Sequence, residues 1–256
     1  MLQQESYSKY QEWLEETDFL WKRFDAIATG LEKSILELLS EDEFARRVAA
    51  KFEEVLSRCD EIDYNDDETA VAYCILHFLP RYRMFQLIYY ELLINNILPI
   101  KNNQINTLDI GTGPGPSMYA LSDIYSSLQI FGAVNHEFQH IPDYVEQSYG
   151  FRNFLHHFTE KANAYYSCDD LGWNVPYHHG SFYDFTSIDF NPKYKTYWGT
   201  CETIKFRFNL ITSSNFFTTL SQVRNQKNEI KNCVRFLRNS GIFLVVGATA
   251  KKVLQT

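Results

Sequence analysis

The sequence predicts an α/β protein: an all-helical region over residues 1–104, then a parallel sheet with helices on its faces over residues 105–256. Three observations carry this. Apolar residues recur at steps of three and four through the first region, the spacing of a helix face. From Thr107 onward, short apolar runs alternate with amphipathic ones, the pattern of strand and helix in succession. Between the first such strand and helix stands Leu108-Asp109-Ile110-Gly111-Thr112-Gly113-Pro114-Gly115-Pro116-Ser117, with three alternate glycines.

The helical region reads as several segments. Between Tyr7 and Leu39, residues such as Tyr10, Trp13, Leu20, Ile27 and Leu31 mark one face, with Gly30 as the expected break or bend. Ser40-Glu41-Asp42-Glu43 fits a capping box, a hydroxyl on the cap and a carboxylate three residues later. Phe44, Val48, Phe52 and Val55 follow as a second stripe. The acidic stretch 59–68 is the expected surface linker. A third helical stretch runs from about Thr69 to Leu98, and Pro80 is expected to split or kink it.

In the sheet region a strand is expected at Thr107–Ile110, a helix at about Ser117–Ser127 and a second strand at Gln129–Asn135. Helical material should follow from about Pro142 to Ala164, then a short third strand near Val175–His178 and a fourth at Phe206–Thr212. A helix from about Leu220 to Leu237 is expected to stop at Asn239-Ser240-Gly241. Ile242–Gly247, continuously apolar, reads as a central buried fifth strand.

Composition narrows the functional classes. With 256 residues, 45% apolar and 16% aromatic, the chain is long enough for a large packed core. A formal net charge of −8 gives no general attraction for phosphate backbones. The five cysteines (Cys59, Cys74, Cys168, Cys201, Cys233) contain no C-x-x-C and read as reduced thiols. The first residues, MLQQESYSKYQEW, lack the basic and apolar segments of a signal peptide, and no apolar run approaches a membrane span. The expected location is cytoplasmic, without a membrane partner.

The glycine loop suits a ligand that must touch backbone. Without a Cβ the chain can turn at positive φ and admit a close approach, while the next helix offers unpaired N–H groups. A dinucleotide loop usually reads G-x-G-x-x-G; here it is G-x-G-x-G followed by Pro116, which a first helical turn tolerates. This spacing resembles motif I of the class I S-adenosylmethionine-dependent methyltransferases. The segment Arg207-Phe208-Asn209-Leu210-Ile211-Thr212-Ser213-Ser214-Asn215 is similar to that family's fourth strand and its active-site end. Leu237 to Val245 is similar to its fifth strand, entered through a glycine turn. The resemblance covers about 105–250 and implies a Rossmann-like class I methyltransferase core, with a parallel sheet of order 3-2-1-4-5. The family usually adds a terminal antiparallel pair of strands; the sequence ends at Thr256, so a minimal or C-terminally shortened core is expected. A shorter likeness, from Tyr73 to Arg83, is to the region before motif I in the mitochondrial small-ribosomal-subunit methyltransferase-like family and its bacterial relatives. The cysteine cluster of that family's metal site is missing.

The resemblance implies S-adenosyl-L-methionine as cofactor. Gly111, Thr112, Gly113 and Gly115 would wrap its methionine and ribose, and Asp109 would orient the loop and accept from the ammonium. An acid ending the second strand would hold both ribose hydroxyls; Glu137 fits that place in the expected layout, with Asn135 as alternative. Ser181 and Phe182 would frame the adenine, Asp184 substituting for the family's usual acid. Ser213, Ser214 and Asn215 would face the transferred methyl group as the catalytic set. Arg81, Tyr82 and Arg83 would cover the cofactor or meet the acceptor, or else form a helix break with solvated arginines. The amino-terminal helices would serve as lid or specificity element.

His136-Glu137-Phe138-Gln139-His140 competes as an H-E-x-x-H string, in which two histidines on one helix face bind zinc and the glutamate activates water. Pro142 stands against the helix such a site needs, so no metal is expected. The favoured function is methyl transfer to an unidentified small molecule, protein or RNA. A methyltransferase fold kept as a binding or assembly module is the alternative, ahead of a zinc hydrolase or a dinucleotide oxidoreductase. The acceptor and the oligomeric state are not legible in the sequence.

Overall fold

The computed structural model describes residues 4–58, 62–135, 137–165, 186–187, 208–214, 224 and 227–247. Helices α1 (Gln4–Thr17) and α2 (Phe19–Leu38) are divided at Asp18, whose φ of 52° is left-handed. Gly30, the expected break, lies buried inside α2. Helix α3 (Asp42–Arg58) does not use the expected capping box: the Ser40 hydroxyl turns back and donates to Glu37 O, closing α2 instead. Helix α4 (Asp67–Ile94) starts at a true cap, with the Asp66 carboxylate accepting from Thr69 N at 2.7 Å. The expected linker therefore ends by capping α4.

Pro80 sits within α4 without dividing it. A proline removes one helical hydrogen bond, but α4 packs against α3, α5 and α6 and buries Phe78, Tyr82, Phe85 and Tyr89. Tertiary packing, rather than local propensity, supplies most helical stability in such a setting.

Among the described residues five strands, β1 (Gln104–Ile110), β2 (Gln139–Val145), β3 (Thr186–Ser187), β4 (Phe208–Ser214) and β5 (Leu237–Val246), form one parallel sheet in the order β3-β2-β1-β4-β5. Helices α5 (Pro116–Phe131), α6 (Tyr149–Tyr165) and α7 (Lys227–Arg235) connect or flank them. The expected third strand near Val175–His178 lies outside the described residues.

The second strand departs most from expectation. Gln129–Asn135 is not a strand but the end of α5 and the turn beyond it. Leu128 is fully buried, and Gly132, at φ 80°, closes the helix with its N–H on Gln129 O and Leu128 O. β2 then starts at Gln139 and takes in Pro142, which had been expected to open a helix. At the other edge, Asn239-Ser240-Gly241 does not end a helix; it lies inside β5, where Ser240 has φ 70° and the β4–β5 register shifts. A Cβ on Gly241 would stand 3.0 Å from both Phe208 O and Arg238 O, so only glycine passes there unstrained.

One hydrophobic cluster joins the helical region to the sheet region, running from Tyr10, Phe19 and Val55 through Phe78 to Tyr119 and Phe158. A smaller one gathers Leu108, Ile110, Phe208 and Ile211 with Phe236 and Phe243. Within the large cluster the buried Arg23 Nε lies 3.0 Å from Asp123 Oδ1, and the Tyr82 hydroxyl donates to the other carboxylate oxygen. No described helix is long and apolar enough to cross a membrane.

Candidate functional site

Parallel pairing brings the strand ends to one edge. Ile110 of β1 stands opposite Val145 of β2 and Ser213 of β4, and Ser213 stands opposite Val245 of β5. The glycine loop leaves β1 at this edge. Gly111, Gly113 and Gly115 have φ of 68°, 58° and 89°, all in the region that side chains resist. The N–H groups of Gly111 and Thr112 both point at Val145 O, at 2.8 and 3.3 Å, so the loop is clamped to the tip of β2. A Cβ on Gly115 would meet Leu155 Cδ1 at 2.7 Å, so the Leu155 side chain would have to shift to admit one. On Gly113 it would meet only the Phe151 ring, at 3.8 Å, an ordinary contact.

Asp109, the penultimate residue of β1, is 3% exposed. Its carboxylate accepts from Thr112 Oγ1 at 2.8 Å and Thr212 Oγ1 at 2.6 Å. Burial pushes this carboxyl up to about 6, the Thr212 and Thr112 hydroxyls oppose the rise, and the neighbouring Glu146 adds to it. Thr212 is thus a functional candidate that sequence reasoning passes over, since it reaches Asp109 only through the fold.

Glu146 follows Val145 directly at the end of β2. Its Oε2 accepts from Gly113 N at 2.7 Å and its Oε1 from Ser148 N at 2.8 Å. Burial raises its pKa, against the pull of these backbone donors. The site therefore holds a buried and a half-buried carboxylate on one glycine loop.

Glu137 and Asn135 do not fill this place. Both precede β2, beside its amino end, where Gln139 pairs with Gln104. Glu137 is exposed, and its N–H bonds to Asn135 Oδ1 in a local turn. The acid that reaches the loop is Glu146. A signal for it exists in the sequence, the short run Ile141-Pro142-Asp143-Tyr144-Val145 followed by Glu146, but Pro142 argues locally against a strand.

Other candidates divide. Ser213 and Ser214 end β4 at the same edge as the loop; Ser213 Oγ is buried and has no partner among the described residues. Asn215, Ser181, Phe182 and Asp184 lie outside the described residues. Tyr82 faces the core on Asp123, Arg81 lies 5.0 Å over the Tyr73 ring, and Arg83 lies 4.2 Å over Trp21. In the H-E-x-x-H string Glu137 and Phe138 are not helical, and Gln139 and His140 open β2. His140 rests between Thr107 Oγ1 at 2.9 Å and Ser122 Oγ at 3.3 Å, and burial pushes its imidazole down to about 3. Among the described residues no group of three or more His, Cys, Asp or Glu is arranged to hold a metal ion.

No family model matches the chain, and no curated protein matches it. Among solved structures, the chain is similar to a candidate S-adenosyl-L-methionine-dependent methyltransferase from Methanococcus maripaludis. The two share 15% sequence identity and a TM-score of 0.40, over 76% of this chain and 69% of that one.

Proposed function

We propose that the chain binds S-adenosyl-L-methionine against its glycine loop and transfers the methyl group to an acceptor at the carboxyl edge of the sheet. The observation that carries this reading is the hydrogen bond from Gly113 N to Glu146, which puts an acid from the tip of β2 onto the loop that Asp109 anchors from β1. In the family the loop resembles, an acid at the end of the second strand accepts both ribose hydroxyls. Glu146 stands at that place.

The residues present fit such a cofactor in three respects. The left-handed glycines keep side chains off the loop, so a ligand can lie on its backbone. Two carboxylates complement a ligand with cationic centres. The unpartnered Ser213 hydroxyl offers a polar group at the same edge, where an empty buried hydroxyl otherwise carries a cost.

The bound sulfonium would supply an activated methyl electrophile. The chain's own part is then to hold the reactants in line and exclude water, which needs little acid–base machinery. The amino-terminal helices support a wall or lid role. The rings of Tyr64 and Tyr73 pack on Phe151, 4.4 and 5.1 Å between centroids, and the Phe151 ring is what a Cβ on Gly113 would touch.

Isothermal titration with S-adenosylmethionine and S-adenosylhomocysteine tests the reading. Wild type should bind, and Glu146→Ala should bind far more weakly. No heat with either nucleoside would refute the proposal. Transfer of labelled methyl groups into fractionated extract then separates turnover from binding alone, and shows whether the acceptor is a small molecule, a protein or RNA.

A further inference from the structure

The acidic stretch between α3 and α4, expected as a solvated linker, is seated on the start of α6. Asn65 Oδ1 accepts from Tyr149 N at 3.0 Å, and Asp67 Oδ1 accepts from Asn153 Nδ2 at 3.0 Å. Between these ties the two backbones meet at Gly150. A Cβ there would stand 2.5 Å from Asp66 O and 2.7 Å from Tyr64 O. Carbon and carbonyl oxygen ordinarily come no closer than roughly 3.3 Å. Both obstacles are main-chain atoms, so no side-chain rotation relieves them, and only glycine lets α6 pass.

This strap carries one large side chain inward. Tyr64 is buried, and its ring lies stacked on Phe151 at 4.4 Å between centroids, with Tyr73 of α4 edge-on to both. The Phe151 ring in turn stands 3.8 Å from where a Cβ on Gly113 would project. The residue before α6 also reaches the loop, since Glu146 accepts from both Ser148 N and Gly113 N. The strap is held from behind, because the Asp66 carboxylate caps α4 at Thr69 N.

We propose that the strap of residues 62–66 is a positioning element of the cofactor site: seated against Gly150, it keeps the Tyr64 and Phe151 rings stacked as a fixed wall beside Gly113. Were the seat filled, one of the two backbones would have to yield. Retreat of the strap lifts Tyr64 off Phe151. Retreat of α6 draws Phe151 away from Gly113 and Ser148 N away from Glu146. In both cases the loop loses a neighbour that keeps water from whatever lies on it. The functional consequence rests on the reading of the loop as the cofactor's cradle; the seating of the strap does not.

Three variants of the full chain test this: Gly150→Ala, Tyr64→Ala and Tyr64→Phe, the last of which keeps the ring. Val55→Ala, at a fully buried position of α3, is the control for a general loss of packing. The first readout is amide exchange without ligand, comparing Gly113, held by Glu146, with Gly111, held by Val145 O. In Gly150→Ala and Tyr64→Ala, Gly113 should exchange about tenfold faster, the size of one lost aromatic contact, while Gly111 stays as in wild type. Tyr64→Phe should match wild type, and Val55→Ala should show no change confined to Gly113. The second readout is the dissociation rate of S-adenosylhomocysteine by stopped flow. It should rise about tenfold in Gly150→Ala and Tyr64→Ala with little change in association.

Unchanged Gly113 exchange in Tyr64→Ala would overturn the proposal. So would an equally selective change in Val55→Ala, or a Tyr64→Phe variant as impaired as Tyr64→Ala. Should Gly150→Ala fail to fold, the Tyr64 pair decides alone. Should wild type bind no S-adenosyl nucleoside, the proposed function falls, and the exchange pattern still decides whether the strap positions the loop.

Discussion

The Glu146 carboxylate and the Gly113 amide meet at 2.7 Å, where β1 and β2 end side by side. A charge-assisted bond of this kind fixes the loop more strongly than a neutral one. It also places the acid within reach of whatever lies on the loop.

Glu146→Ala is expected to lower affinity for S-adenosylmethionine on the order of a hundredfold, the effect of losing two hydrogen bonds to a charged acceptor. Glu137→Ala, an exposed position at the opposite end of β2, should leave affinity within error of wild type. Parallel titrations of the two variants check this. A loss confined to Glu137→Ala would reverse the assignment.

The two glycines should fail differently. Gly113→Ala has space for its methyl group, so its stability cost is the left-handed backbone alone, about 1–2 kcal/mol. It should fold and yet bind cofactor about tenfold more weakly or worse, because the methyl group occupies the ligand's face. Gly115→Ala bears the same backbone strain and also drives its Cβ against Leu155, so it should lose about 2–4 kcal/mol. Denaturant unfolding with titration on the same samples distinguishes the two patterns.

Asp109 makes a signed prediction about pH. Its folded value of about 6 lies above the ordinary 3.8, so the folded state holds this proton more tightly than the unfolded chain. Its contribution to stability therefore falls as pH rises from about 4 to about 6, then stays level. His140 runs the other way: its folded value, about 3, lies below 6.5, so its contribution is full above 6.5 and lost as pH falls. The difference in unfolding free energy between wild type and Asp109→Asn should slope across pH 4–6 and flatten above it. A cationic ligand should also expel the Asp109 proton, so titrations near pH 6 in buffers of different ionisation enthalpy should register proton release. Identical heats in all buffers would contradict it.

The ion pair between Arg23 and Asp123 should matter through what is left when it is broken. Both side chains are fully buried, so Arg23→Met strands a carboxylate in the core and should cost about 3–5 kcal/mol. Replacing both, Arg23→Met with Asp123→Leu, should recover much of that loss, because no unpaired charge remains. Chemical denaturation of the single and double variants reads the difference directly.

Local features of the chain were enough to locate the loop. Alternate glycines after an apolar run ending in Asp109, with Pro116 opening a helix, describe backbone preferences that neighbouring residues settle among themselves. The same holds for the change from helical to alternating periodicity near Thr107, and hence for a helical region followed by a parallel α/β sheet. These are short-range signals, carried by φ restrictions and by the spacing of apolar residues.

Tertiary structure decided which acid meets the loop. β2 begins at Gln139 because Gly132 ends α5 late, after a helix buried as far as Leu128, and burial against other elements outweighs the local reading of Gln129–Asn135 as a strand and of Pro142 as a helix start. The same balance carries α4 through Pro80. Thr212 lies 103 positions from Asp109 and Tyr89 lies 28 from Ser117. Contacts at such separations form when strands align and helices pack, so the Thr212 hydroxyl on Asp109 is a property of the folded sheet.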